Sequence, residues 1–149
     1  EKIEIFKDSA IYLHTGNSTA DIVINSKMRL AESKDILFTT NLKFPDNMAV
    51  SDVDIAIILG NLLDNAIEAV ENETDKYIHI QTFINNNLLI LEISNSYSRS
   101  IISDVTTKKD KTLHGIGLLS VKHIANKYDG SFTLNVENNL AVAIVGLKI

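Results

Sequence analysis

The chain has 149 residues, of which 45% are hydrophobic and 22% charged, so it can bury one core of ordinary globular composition. Its 14 basic and 19 acidic residues give a net charge of −5, which offers no electrostatic support for nucleic-acid binding. It has no cysteine, which excludes disulfides and cysteine metal sites, and no apolar run of about 20 residues that would span a membrane.

The first forty residues predict two helices and a strand. Hydrophobic side chains in residues 1–13 recur at helical spacing, and because this segment is too short to form a helix alone, we expect the tail of a helix that began upstream. A second helix should be capped by Ser18 or Thr19 and run to about residue 33. Residues 36–42 then form a strand.

The longest predicted helix begins at Ser51 or Asp52 and runs to residue 70 without a proline. Its apolar residues share one broad arc: Ile55, Ile58, Leu59, Leu62, Leu63, Ala66, Ile67, Ala69 and Val70. Its polar residues share the other side: Asp54, Asn61, Asp64, Asn65, Glu68 and Asn72. Asn61 and Asn65 are one turn apart, and asparagine is a mediocre helix former, so the pair indicates oxygen ligands for a hard cation. A solvated helix face is the plainer interpretation of these residues taken alone.

Two hairpins are predicted from alternating patterns separated by asparagine-rich turns. Their strands are residues 76–84 and 88–95, and residues 131–136 and 140–149. Asparagine tolerates the left-handed backbone of a tight turn, which suits the run from Asn85 to Asn87. Asn95 ends the first hairpin, where its amide can bind a base edge or simply mark a turn.

From Ser96 to Leu113 the hydrophobic pattern fails, and a loop of about eighteen residues inside a domain is typical of a functional lid or a disordered segment. Three lysines lie near its end: Lys108, Lys109 and Lys111. His114 then opens a third helix, which places Gly115 and Gly117 where helix N–H groups can bind a phosphate. A hinge explains the same glycines equally well, and an exposed soluble loop is the better interpretation of the last two lysines.

The order of elements is helix, helix, strand, helix, hairpin, lid, helix, hairpin. Strands joined mostly by hairpins predict a mixed, mostly antiparallel sheet, and the helices should cover one of its faces. The expected fold class is therefore α+β, a two-layer α/β sandwich.

Two of these segments carry a family resemblance. Residues 61–69 resemble the N box, and residues 114–118 the second glycine box, of the catalytic ATP-binding domain of sensor histidine kinases in the GHKL superfamily (gyrase, Hsp90, histidine kinase, MutL). The resemblance implies the Bergerat ATP-binding fold over residues 15–149, and makes residues 1–14 the remnant of a dimerisation and phosphotransfer helix. It is closest to peptide quorum-sensing receptor kinases of the accessory-gene-regulator type, in which an Asn-Ser pair replaces the adenine box.

The resemblance implies ATP and Mg²⁺ as ligands. Asn65 would coordinate Mg²⁺, and Asn61 would face the phosphates or the metal. Hydrolysing relatives have a glutamate base at the position of Asn61, so an amide there implies poor hydrolysis. Asn95 stands where most relatives bind the adenine amino group with an aspartate, so we expect weaker nucleotide affinity.

The resemblance also assigns the phosphate contacts. Gly115, Gly117 and the N–H groups at Leu118 would cradle phosphate. Lys108, like the lid lysine of the accessory-gene-regulator type, would neutralise charge that develops during transfer.

The implied activity is that of a protein-histidine kinase. It would pass the γ-phosphoryl group of ATP to a histidine in its dimerisation domain and then to a response regulator. The whole protein would be a membrane-anchored homodimer with this domain in the cytoplasm, and the fragment alone should not autophosphorylate.

Two alternative functions stay open. The missing adenine aspartate allows a nucleotide-gated or nucleotide-dead interaction module of the same fold, and an anti-sigma-type serine kinase is a third option.

Overall fold

The computed structural model describes residues 4–5, 13–98 and 108–149, and the side chains of residues 13–98 and 116–149. The helices are α1 (Ser18–Ser33), α2 (Asp52–Val70) and α3 (Lys108–Lys127). The strands are β1 (Glu4–Ile5), β2 (Leu37–Asn41), β3 (Tyr77–Asn85), β4 (Leu88–Ser96), β5 (Ser131–Glu137) and β6 (Leu140–Lys148). In the part of the chain that is described, no helix is long and apolar enough to cross a membrane.

The strands form one six-stranded mixed sheet in the order β1-β2-β3-β4-β6-β5. Strands β2 and β3 run parallel, and the other neighbouring pairs in these ranges are antiparallel. The two hairpins turn at asparagines with a left-handed backbone, Asn86 at φ 47° in the first and Asn138 at φ 52° in the second. The predicted α+β fold class and its two hairpins are confirmed.

One face of the sheet is covered by the helices. Ile93 in the middle of β4 is in register with Ile80 on β3 and Ala143 on β6, and all three are buried in one core. Helix α2 supplies the centre of this core, since Leu59 and Leu63 are fully buried. Burying one such side chain contributes about 1.5–3 kcal/mol. The predicted apolar arc of α2 is buried except for Ala69, which is half-buried.

Side chains at the N-termini fix where two of the helices begin. Asn17 caps α1, because its Oδ1 accepts a hydrogen bond from the Ala20 N–H at 2.9 Å. The cap is therefore one residue before the predicted Ser18 and two before the alternative Thr19, and asparagine is among the best residues at this position. Ser51 caps α2, as one of the two predictions had it, and its Oγ accepts from the Asp54 N–H at 3.2 Å.

The start of the chain differs from the prediction. Glu4–Ile5 is a strand that pairs antiparallel with Thr39 and Thr40 of β2, so the predicted helix is wrong at these two residues. A short segment cannot hold a helix alone, whereas the free edge of β2 offers unpaired backbone groups. Residues 1–3 and 6–12 lie outside the described residues. The domain boundary at residue 14 stays a prediction, although Leu13 is 4% exposed and belongs to the core.

Helix α3 begins at Lys108, six residues before the predicted start at His114. Residues 108–113 contain neither glycine nor proline, and lysine favours a helix, which accounts for the extension. Gly115 and Gly117 consequently lie inside α3 and not at its beginning. The rest of the predicted lid, residues 99–107, lies outside the described residues, as does the side chain of Lys108.

Candidate active site

The centre of the candidate site is the contact between α2 and α3. Asn61 and Asn65 lie one turn apart on α2, and both are half-buried. Gly117 of α3 lies directly over Asn61: a Cβ atom at Gly117 would be 3.0 Å from Asn61 Oδ1 and 3.4 Å from its Cγ. Only glycine allows the backbone of α3 this close to the amide without displacing it. The structure thus brings together two of the residues that the resemblance singled out.

Two carboxylates on the polar side of α2 hold neighbouring helices. Asp64 forms an ion pair with Lys27 of α1 at 2.5 Å. Asp54 forms one with Lys127 of α3 at 2.8 Å. These carboxylates therefore have structural partners, whereas no hydrogen bond to the Asn61 side chain is found among the described residues.

Asn95, near the end of β4, offers a buried acceptor. It is 5% exposed and lies on the helix-covered face of the sheet, in register with Ile78 and Ala141. Its Nδ2 donates to the Ser96 carbonyl oxygen at 3.0 Å, while its Oδ1 accepts no hydrogen bond from any residue that the structure describes. A buried acceptor without a donor costs about 1–3 kcal/mol, so this oxygen suits an N–H donor of a ligand.

The second member of the Asn-Ser pair has a structural role. Ser96 Oγ donates to the Asp75 carbonyl oxygen at 2.6 Å and accepts from the Tyr77 N–H at 3.1 Å. Because successive side chains on a strand point to opposite faces, Ser96 lies on the other face from Asn95. Only Asn95 of this pair is placed to read a ligand on the helix side.

The residues expected to cradle phosphate are not at a helix end. Gly115, Gly117 and Leu118 lie within α3, where each N–H bonds to the carbonyl four residues earlier. Leu118 is half-buried and packs against the core. A cradle at a helix N-terminus is therefore absent from this conformation as far as the described residues go. The roles of these three residues and of Lys108 stay predictions.

The sequence analysis missed a cluster that joins α2 to α3. Asp54 was placed on the solvent side of α2, yet it is 7% exposed. Its Oδ2 accepts from Lys127 Nζ at 2.8 Å and from Tyr128 Oη at 2.5 Å, and Tyr128 Oη accepts in turn from the Ser51 N–H at 3.0 Å. The available signal was Tyr128, which directly follows α3 and continues the helical spacing of the buried residues Ile124 and Ala125, although its hydroxyl needs a polar partner.

Hydrogen bonds in this cluster shift two pKa values. The hydrogen bond from Lys127, followed by that from Tyr128, lowers the pKa of Asp54 from 3.8 to about 2, against the effect of burial. The hydrogen bond to Asp54 raises the pKa of Lys127. Both residues are therefore charged at neutral pH.

Comparisons with known proteins identify the family and the fold. A family model described as GHKL domain matches residues 50–148. Among solved structures, the catalytic domain of histidine kinase ThkA superposes in two crystal forms with TM-scores of 0.69 and 0.71, at 20% and 21% identity. These matches cover 99% of this chain and 97% and 96% of those chains.

A third solved structure, the Acinetobacter baumannii histidine kinase AdeS, gives a TM-score of 0.66 at 15% identity and covers 99% of this chain and 67% of that one. No curated protein sequence matched the chain. At such identities the structural matches show the fold, which is that of histidine kinase catalytic domains. The family model spans more than half of the chain, from the start of α2 to the end of β6, and this protein therefore belongs to the GHKL domain family.

Proposed function

We propose that this chain is the ATP-binding catalytic domain of a two-component sensor histidine kinase. The domain would move the γ-phosphoryl group of ATP to a histidine nitrogen of a dimerisation domain, forming an N–P bond as the bond to the ADP oxygen breaks. A response regulator would then receive the group. The observation that supports nucleotide binding best is the buried Oδ1 of Asn95, whose need for a donor fits the amino group of adenine.

The amide pair on α2 supports transfer over hydrolysis. Asn65 would hold Mg²⁺ and Asn61 would face the metal or the phosphates, both through neutral carbonyl oxygens of the kind that Mg²⁺ accepts. The metal, when bound, neutralises phosphate charge. Because an amide cannot take a proton from water, Asn61 cannot serve as the general base of a hydrolase.

The remaining contacts are proposals from the resemblance. Lys108 would neutralise charge during transfer, and Gly115, Gly117 and the N–H at Leu118 would bind phosphate. These N–H groups lie inside α3, so the turns before Leu118 would have to unwind to expose them.

The wider setting is proposed on the same basis. Asn95-Ser96 favours the accessory-gene-regulator type of quorum-sensing receptor kinase. In that setting residues 1–14 would be the remnant of the dimerisation and phosphotransfer segment, in which Glu4–Ile5 is a strand and not a helix. The full-length protein would be a membrane-anchored homodimer, and this domain would lie in the cytoplasm.

Phosphotransfer tests the proposal. The domain is mixed with the dimerisation segment of its own full-length protein and γ-labelled ATP, and acid-labile phosphohistidine is measured. Asn65→Ala should reduce labelling and Mg·ATP affinity roughly tenfold or more, because it removes an expected metal ligand. Asn72→Ala, an exposed asparagine in the turn after α2, is the matched control and should label normally. Absence of phosphohistidine despite confirmed docking of the two parts would refute the kinase.

The second candidate is a nucleotide-gated or nucleotide-dead interaction module. Its support is the uncharged Asn95 at the adenine position, which removes charge assistance from the hydrogen bond. Such a module would bind its protein partner without labelling it, whereas an anti-sigma-type serine kinase would give acid-stable phosphoserine. The same labelling experiment separates the three.

A further inference from the structure

The cluster of Asp54, Lys127 and Tyr128 ties the first turn of α2 to the end of α3. Both donors converge on one carboxylate oxygen, Asp54 Oδ2, at 2.8 and 2.5 Å. Tyr128 Oη also accepts from the Ser51 N–H, so the capping residue of α2 belongs to the same network. Directional hydrogen bonds of this kind fix the position and the direction of a helix, whereas apolar contacts allow it to slide.

The same end of α3 is also tied to the sheet. The Tyr128 carbonyl oxygen accepts from the Lys148 N–H at 3.0 Å. Gly130 passes so close to β6 that a Cβ there would lie 1.8 Å from the Gly146 carbonyl oxygen. The C-terminal end of α3 is thus fixed from two directions, by α2 and by β6.

The other end of the contact between α2 and α3, at Gly117, lies on the candidate nucleotide site. Gly117 is ten residues before Lys127, which is about 15 Å along the helix axis. There the backbone of α3 rests on the Asn61 side chain, so close that a Cβ added at Gly117 would lie 3.0 Å from Asn61 Oδ1. A small rotation of α3 about its fixed end would therefore change the contact that Gly117 makes with Asn61.

We propose that Asp54, acting through Tyr128 and Lys127, is the positioning residue that sets where α3 lies over the Asn61 amide. Asp54 does not touch the ligand in this account. It determines the helix placement on which binding at Asn61 and Asn65 depends. The inference rests on the proposed function only for the identity of the ligand, because the placement of Gly117 against Asn61 is a property of the protein alone.

Three variants and one control test this role. Asp54→Leu removes the acceptor and keeps the branching at Cγ with a larger side chain. Tyr128→Phe removes one donor, and Asp54→Asn keeps the shape and can still accept from Tyr128. The control is Glu71→Gln, which breaks the ion pair with Lys34 at the other end of α2, 2.6 Å long, without touching α3. Urea unfolding of each variant establishes that it is folded.

Two readouts are taken on the folded variants. The first is the side-chain amide signal of Asn61 in a ¹⁵N spectrum without nucleotide, assigned by its loss in Asn61→Ala. It should move in Asp54→Leu and Tyr128→Phe, and stay in place in Glu71→Gln. The second is the dissociation constant for a non-hydrolysable Mg·ATP analogue, which should rise about tenfold in Asp54→Leu, less in Asp54→Asn, and remain unchanged in the control.

The outcomes separate the two proposals. An Asn61 signal that stays in place in both cluster variants overturns the positioning role. A signal that moves, with a dissociation constant that does not, also overturns it, because nucleotide binding then does not depend on the helix placement. Absence of binding to the wild type refutes the proposed function, while a moved signal still supports the placement of α3 by Asp54. If Asp54→Leu does not fold, Tyr128→Phe and Asp54→Asn carry the same test.

Discussion

The two ends of the α2–α3 contact are built differently. At one end a carboxylate, an ammonium group and a phenol form charge-assisted hydrogen bonds, with Asp54 7% exposed. At the other end the backbone of Gly117 lies over the Asn61 side chain, and no hydrogen bond to Asn61 is found among the described residues. One end therefore uses its polar groups to hold the helices together, and the other keeps its amide available.

This difference supports the proposal that a ligand binds at the Asn61 end more strongly than residue type does. Both ends lie on the polar side of one helix, and by sequence the carboxylates look at least as suited to a metal as the amides. Asp54 and Asp64 are already bound to Lys127 and Lys27, so their charges stabilise helix packing. Gly130→Ala should break the fixed end, Gly117→Ala should disturb the available end, and acid pH should weaken the fixed end gradually.

The largest effect is expected from Gly130→Ala. The added Cβ would lie 1.8 Å from the Gly146 carbonyl oxygen, so the turn after α3 must separate from β6. We expect the free energy of unfolding to fall by about 3 kcal/mol, measured by urea denaturation. Gly60→Ala is the control, because nothing lies within 4 Å of its Cβ, and it should raise stability by about 0.5–1 kcal/mol. Equal stability of the two variants would contradict a tight contact at Gly130.

Gly117→Ala should separate binding from stability at the available end. Its Cβ would press on Asn61 Oδ1 at 3.0 Å, and the amide can move by a few tenths of an ångström at small cost. Alanine also favours the helix, so stability should be unchanged or slightly higher. The affinity for Mg·ATP, measured by calorimetry, should fall roughly three- to tenfold because Asn61 is displaced. Wild-type affinity in this variant would show that the position of Asn61 does not matter.

The pH dependence of stability is the smallest effect. The pKa of Asp54 is lowered from 3.8 to about 2, so its ionised form stabilises the fold fully above about pH 4, and this contribution is lost as the pH falls towards 2. Since Lys127 is 57% exposed, solvent screens the pair and we expect its contribution to be small. Urea unfolding of the wild type and Asp54→Asn between pH 5 and 2 measures it. The stability difference should shrink in acid, and a constant difference would argue against an ionised Asp54.

Local patterns explain which parts of the fold were predictable. The buried arc of α2 has a 3.6-residue period, so Leu59 and Leu63 follow from sequence spacing alone. The hairpin at Asn86 follows from alternating strands around a residue that accepts positive φ. The spacing and side-chain chemistry of Asn61 and Asn65 are local as well, so the sequence alone singles them out, and their roles stay predictions.

Contacts between distant residues explain the misses. The pairing of Glu4–Ile5 with β2 depends on which sheet edge is free, which no periodicity encodes. The burial of Asp54 depends on Tyr128, 74 residues away, and a lone aspartate in a first turn looks like an ordinary helix-end charge. The start of α3 was placed at His114 because the glycines after it suggested a helix N-terminus open to phosphate, whereas Gly117 packs inside the helix against Asn61.

Calorimetry of an Asn95 series with a non-hydrolysable Mg·ATP analogue tests the central claim most directly. The wild type should bind the analogue through the buried Asn95 Oδ1. Asn95→Asp should bind more tightly, because a charged acceptor strengthens the bond to the adenine amino group, and Asn95→Ala should bind about tenfold more weakly. No binding by the wild type, or one dissociation constant shared by all three proteins, would contradict the assignment of this site to a nucleotide.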